Sequence, residues 1–186
     1  MKRRKTFTVM AILIAVLVLG VGYATISNIT LNLNGNATVI ADADFVVVYD
    51  TAHTVGRSTT DQITDNSTTY DVVTGAYQGT TLATMNVTLN KTHTSASACY
   101  KIDNNSTTLA ANLSANVTQV GSPNTAYFGP ITTEFYSDSE CQTALSGSLA
   151  AQDSAYMKVT VPKGTTEPAQ NVTGTFSVAI TASPAE

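Results

Sequence analysis

The chain has 186 residues, and nine basic against 13 acidic side chains give a formal charge of −4. Thr (32) and Ser (15) make up about a quarter of it, Trp is absent, and 12% of residues are charged. So few Lys and Arg cannot build a nucleic-acid surface, the Thr-, Val- and Asn-rich composition is wrong for a coiled coil or helical bundle, and 43% hydrophobic residues at low charge argue against full disorder.

The charge is uneven. Four of the nine basic residues are Lys2, Arg3, Arg4 and Lys5, and an apolar run of 14, Val9 to Gly22, follows them. Small residues stand at Gly22 and Ala24, three and one before a break ahead of Thr25. This pattern predicts a secretory signal peptide over residues 1–24, a signal helix cut by signal peptidase between Ala24 and Thr25. The run is shorter than the ~20 residues a spanning helix needs, so membrane contact is expected only through the uncleaved signal. A prepilin site before the apolar run would fall at Lys5-Thr6, which does not look like one. The mature chain then carries 5 minus 13, or −8.

The next segment, residues 25–35, begins TISNITLNLN. Ile29, Leu31 and Leu33 alternate with Thr30, Asn32 and Asn34, which predicts a strand ending at the hinge residue Gly35. It is either the first strand of its own domain or a strand added to a neighbour's open edge. In the second case the head-to-tail contact does not close and makes filaments.

Residues 36–186 read as one domain of short strands. Apolar residues alternate from Ala37 to Tyr49, through Met85, Val87 and Leu89, and through Ala98, Tyr100 and Ile102. They alternate again from Leu109 to Val117, more weakly over Ile131 to Phe135, then over Ala155 to Val161 and Val172 to Ile180. Turn residues separate these runs, as in Asp103-Asn104-Asn105-Ser106, Gly121-Ser122-Pro123-Asn124 and Pro162-Lys163-Gly164. Residues 51–70 carry little pattern and are expected to be a long loop or a weak edge hairpin. Seven or eight strands with one apolar face each predict an all-β, two-sheet antiparallel β-sandwich, jelly-roll-like, with an immunoglobulin-like topology as the alternative.

Ten of the 13 Asn residues begin an Asn-x-Ser/Thr triplet, against about three expected by chance. They are Asn28, Asn36, Asn66, Asn86, Asn90, Asn104, Asn105, Asn112, Asn116 and Asn171. Glycosylation is one reading. The other is strand geometry, since residues two apart share a face and a solvent face of Asn and Thr generates the motif. The second is the expectation.

Motifs for chemistry are nearly absent. His53 and His93 have no Cys or Glu partner at a metal-ligand spacing, and no nucleophile elbow or phosphate loop occurs. Asp42 with Asp44, Asp61 with Asp65, and Asp138 with Glu140 lie close in sequence, but none forms a calcium loop. No catalytic residue, metal ligand or cofactor site is expected, and the chain is not expected to be an enzyme. In a secreted chain, Cys99 and Cys141 suggest a disulfide. It would close a loop of about 42 residues and add roughly 4 kcal/mol.

The start KRRKTFTVMAILIAVLVLGVGYATISNITLNLNGNATV resembles precursors cut by the SipW-type signal peptidase, which belong to the TasA/camelysin family of secreted β-sandwich fibre proteins. The end of the signal, Gly20-Val21-Gly22-Tyr23-Ala24, is similar. So are the strand–turn–strand segment CYKIDNNSTTLAANLS, ending at Ser114, and the tail from Asn171 to Ala182. The resemblance covers the signal, the first strand and the last two-thirds of the chain, at the level of pattern. The chain is shorter than typical fibre subunits and has two cysteines. The resemblance implies a secreted structural protein of the extracellular matrix or cell surface. It further implies that residues 25–34 are a donor strand with Ile29, Leu31 and Leu33 as inward anchors. The expected partners are other copies of the chain, head to tail, or related matrix subunits. Camelysin-like members are linked to protease activity, for which the sequence offers no ligand set. A monomeric adhesin or glycan-binding module, using loops 51–70 and 121–130 with Tyr127 and Phe128, is the alternative.

Overall fold

A computed structural model of the chain describes residues 29–32, 45–120, 124–169, 172 and 174–185. The signal cleavage residues Ala24 and Thr25, the third proposed anchor Leu33, and Asp42 and Asp44 lie outside these. Within them the protein is all-β, with antiparallel sheets and one four-residue helical turn.

Alternation of apolar side chains sets the long central strands. In order they are β1 (Ile29–Asn32), β2 (Val47–Tyr49), β3 (Gly56–Arg57), β4 (Gln62–Asp65), β5 (Thr68–Asp71), β6 (Val73–Tyr77), β7 (Ala83–Val87), β8 (Ser95–Asn104) and β9 (Ala111–Val120). The helical turn α1 (Asn124–Tyr127) follows, then β10 (Thr132–Tyr136), β11 (Ser154–Pro162) and β12 (Thr175–Pro184). A three-stranded sheet runs β1-β12-β9. A five-stranded sheet runs β10-β11-β8-β2, with β3 also paired to β8. Two hairpins, β4-β5 and β6-β7, stand beside them, and every pairing is antiparallel.

The central strands β8 and β11 pair over nine positions, from Ser154↔Asp103 to Pro162↔Ser95. Ala96, Ala98, Tyr100 and Ile102 face one way and are buried against Ala155, Met157, Val159 and Val161. The same core cluster takes Val178, Ile180 and Ala182 from β12, Val47 and Tyr49 from β2, and Val73, Ala83 and Met85 from the β6-β7 hairpin. The apolar faces of both sheets therefore meet in one core, which is where area burial stabilises the fold. On β9 the opposite set, Asn112, Ser114, Asn116 and Thr118, is exposed.

The poorly patterned segment 51–70 folds as β3 and most of the β4-β5 hairpin. Asn66 and Ser67 both have positive φ (45° and 69°), the type I′ geometry that matches strand twist in a two-residue loop. Strand β6 has no alternation to announce it, because Gly75 interrupts it. A Cβ there would lie 2.6 Å from Val55 Cγ1 and 2.9 Å from the Tyr100 hydroxyl, so glycine is required by close packing.

Candidate functional site

Strand β1 is the peripheral element. It lies at the edge of the three-stranded sheet, antiparallel to β12, with Ile29↔Ala182, Thr30↔Thr181, Leu31↔Ile180 and Asn32↔Ala179. Ile180 and Ala182 are fully buried positions of β12. Two of the three proposed anchors, Ile29 and Leu31, therefore stand in register with the core positions of β12. The other neighbour of β12 is β9, paired over ten positions. A strand that sits on β12 thus completes the sheet on its open side.

At another part of the surface an open groove of about 610 Å³ runs between the β4-β5 hairpin, β7, α1 and the start of β12. Ile63 and Tyr70 line it from the hairpin, Val87 and Leu89 from β7 and the segment after it, and Tyr127 and Phe128 from the end of α1 and beyond. Tyr70 is the large hydrophobic side chain left exposed among the described residues. The two loop regions singled out in the sequence, 51–70 and 121–130, both contribute to this groove. Sequence offered the two loops but not their meeting, which depends on how the hairpin packs.

Cys99 and Cys141 are joined by a disulfide, with Cα atoms 6.7 Å apart. It pins a loop onto the side of β8 that faces away from the core. Asp138 organises that loop by accepting the backbone N–H groups of Glu140, Gln142 and Thr143. These bonds, that of Thr143 foremost, hold its carboxyl below the usual range. Asp138 with Glu140 is thus a turn built on backbone donors.

His93 Nε2 lies 3.2 Å from Asp61 Oδ2, and this contact is the main cause that lowers the Asp61 carboxyl. The other ring nitrogen, Nδ1, is buried with no hydrogen-bond partner among the described residues. His53 packs its ring edgewise on Tyr156 at 5.7 Å. Asp65 is the last residue of β4. Among the described residues no group of three or more His, Cys, Asp and Glu side chains converges as a metal site would.

Three polar features escaped the sequence reading. Tyr49, Tyr77 and Tyr100 form a cluster with ring centroids 5.8–6.2 Å apart. Burial pushes all three phenols up, Tyr77 to about 12, so they stay protonated. The Tyr100 hydroxyl donates to the Thr84 carbonyl, and the Lys101 N–H donates to the Tyr77 hydroxyl. Next, the Lys101 ammonium sits between Asp50 (2.8 Å) and Asp103 (3.2 Å), all half-buried. Last, Asn104 is fully buried. Its amide nitrogen donates to the carbonyls of Leu109 (2.9 Å), Ala150 (3.0 Å) and Leu149 (3.2 Å), and its oxygen accepts the Ser106 N–H. The cue for this clamp was the Asn-rich turn itself, but not which Asn turns inward.

Compared with protein families, with curated proteins and with solved structures, the chain matches none.

Proposed function

We propose that this chain is a secreted, non-enzymatic structural protein of the cell surface or biofilm matrix, a fibre subunit that assembles by donor-strand exchange of its mature N-terminus. In this reading the two sheets form a β-sandwich of jelly-roll-like topology, and residues 25–34 pass from their own β12 to that of the next copy. The observation that carries it is β1 itself, a peripheral strand laid along the open side of β12. Exchange replaces one backbone ladder with an identical ladder in trans. The ladder bonds are therefore conserved, and protein concentration and the hinge around Gly35 decide between monomer and filament. Ile29, Leu31 and Leu33 are the anchors, and the absence of charge from TISNITLNLN suits a strand that is buried in either state.

The test uses mature protein starting at Thr25 and a second protein starting at Asn36, each incubated at high concentration and viewed by negative-stain microscopy. Filaments from the first alone support strand donation. Stable monomers from both refute the self-assembling fibre, and filaments from both keep the fibre but remove the mechanism.

The second reading is a monomeric adhesin or glycan-binding module. The groove between the β4-β5 hairpin and Phe128 favours it, since aromatic side chains beside polar ones suit a sugar ring. Monomers that bind a glycan array and lose binding on Tyr70→Ala would select this reading.

A further inference from the structure

The excess of Asn-x-Ser/Thr triplets is left over by the fold and by the fibre reading. Seven of the ten, those at Asn66, Asn86, Asn90, Asn104, Asn105, Asn112 and Asn116, lie on described residues. Strand geometry accounts for Asn112 with Ser114 and Asn116 with Thr118, which are exposed on the outer side of β9, and for Asn86 on β7. It does not account for Asn66, Asn90 and Asn105, which lie in turns, or for Asn104, which ends β8 with its side chain buried. Asn90 has a local task, because its side-chain oxygen accepts the N–H groups of Thr92 and His93. Asn66 sits at the tip of the β4-β5 hairpin, exposed together with Thr68.

The tandem Asn104-Asn105-Ser106-Thr107 is the informative case, since two overlapping triplets meet opposite fates. Asn104 and Ser106 are 0% and 1% exposed. Both are consumed in the clamp, where the Ser106 hydroxyl accepts the Val46 N–H. Asn105 and Thr107 are exposed, and the Asn105 side chain makes no hydrogen bond among the described residues.

We infer that the exported protein is N-glycosylated at its exposed triplets, and that in the tandem Asn105 is the acceptor and Asn104 is not. The donor class is an oligosaccharide carried on a polyprenyl pyrophosphate. The Asn105 amide nitrogen bonds to the anomeric carbon, and the bond from that carbon to the pyrophosphate oxygen breaks. The lipid pyrophosphate leaves with the electron pair, and the amide proton passes to a base of the transferring enzyme. That enzyme must reach both the amide and the hydroxyl two residues on. Asn66 with Thr68, Asn105 with Thr107, Asn112 with Ser114, and Asn116 with Thr118 all present both. A sugar on Asn104 would replace an N–H that the core uses and would have to be buried, so a chain modified there does not reach this fold. Glycans on Asn112 and Asn116 share the outer side of the β1-β12-β9 sheet and would keep that side in solvent within any assembly.

The inference rests on export but not on fibre formation. Its test is glycopeptide mapping, with electron-transfer fragmentation, of protein recovered from the outside of the cells that make it. The expected result is a hexose-containing mass on Asn105, none on Asn104, and loss of one glycan mass in Asn105→Gln with unchanged thermal unfolding. Unmodified exported protein overturns the inference, and a glycan on Asn104 overturns the assignment. Protein found only inside the cell and unmodified overturns the export reading and takes this inference with it.

Discussion

Replacing Asn104 by Ala tests how the turn between β8 and β9 is held. The side chain is fully buried and makes four contacts at 2.9–3.2 Å. An amide nitrogen carries two N–H bonds, so the three carbonyls of Leu109, Leu149 and Ala150 share two donors. The variant orphans the Leu109 carbonyl and the Ser106 N–H, while the Leu149 and Ala150 carbonyls keep the N–H groups of Ala111 and Asp153. Each buried orphan costs about 1–3 kcal/mol when dry and less when water enters the space left behind. With water satisfying part of the set, the loss comes to about 3 kcal/mol. For a domain of this size that is a fall in Tm of roughly 6–12 °C. Asn104→Asp is expected to be worse, because a carboxylate oxygen would face the carbonyl oxygens. Asn105→Ala, one residue on and exposed, is expected to change stability by under about 0.5 kcal/mol. Urea unfolding followed by tyrosine fluorescence suits a chain with eight Tyr and no Trp. A loss below about 1 kcal/mol in Asn104→Ala, or equal losses at both positions, would refute the clamp.

Three further outcomes are expected. Replacing both cysteines by Ala removes a cross-link spanning 42 residues and lowers stability by about 4 kcal/mol, or roughly 8–16 °C in Tm; a shift under about 2 °C in calorimetry would contradict this. Gly75→Ala places a methyl 2.6 Å from Val55 Cγ1 and costs about 1–3 kcal/mol by overpacking; the added change Val55→Ala should recover part of it in a double-mutant cycle, and no recovery would place the cost elsewhere. The Asp50 carboxyl is held below its usual 3.8, chiefly by its hydrogen bond from Lys101. Its stabilisation is therefore present above that value and lost as pH falls through the lower folded value. Lys101 is raised by the same bond, so its share persists until pH climbs past the ordinary lysine range. Lys101→Met should thus be less stable than the parent at about pH 7, with the gap narrowing as pH falls below the ordinary aspartate range; a gap that stays constant in acid unfolding would rule out the ion pair as its source.

Much of this architecture is written in the residue order because a strand's period is two. Alternation alone marks the inward sets Ala98, Tyr100, Ile102 and Ala155, Met157, Val159, Val161, all of which are buried. It marks the all-β class for the same reason. The segments without alternation were illegible. The β4-β5 hairpin depends on the backbone geometry of Asn66 and Ser67, and β6 on a glycine that lets Tyr100 approach. Composition and spacing also offered Cys99 with Cys141, the strand Ile29–Leu33 and the two loops with Tyr127 and Phe128. Which strand Ile29–Asn32 pairs with is a matter of tertiary structure, because one polar-faced edge looks like another in sequence and register is chosen by the partner's buried positions, here Ile180 and Ala182. The inward turn of Asn104 and the outward turn of Asn105 were likewise beyond the sequence. Both begin the same triplet, and only the carbonyls of Leu149 and Ala150, brought from 45 and 46 residues away, separate a core clamp from an exposed amide.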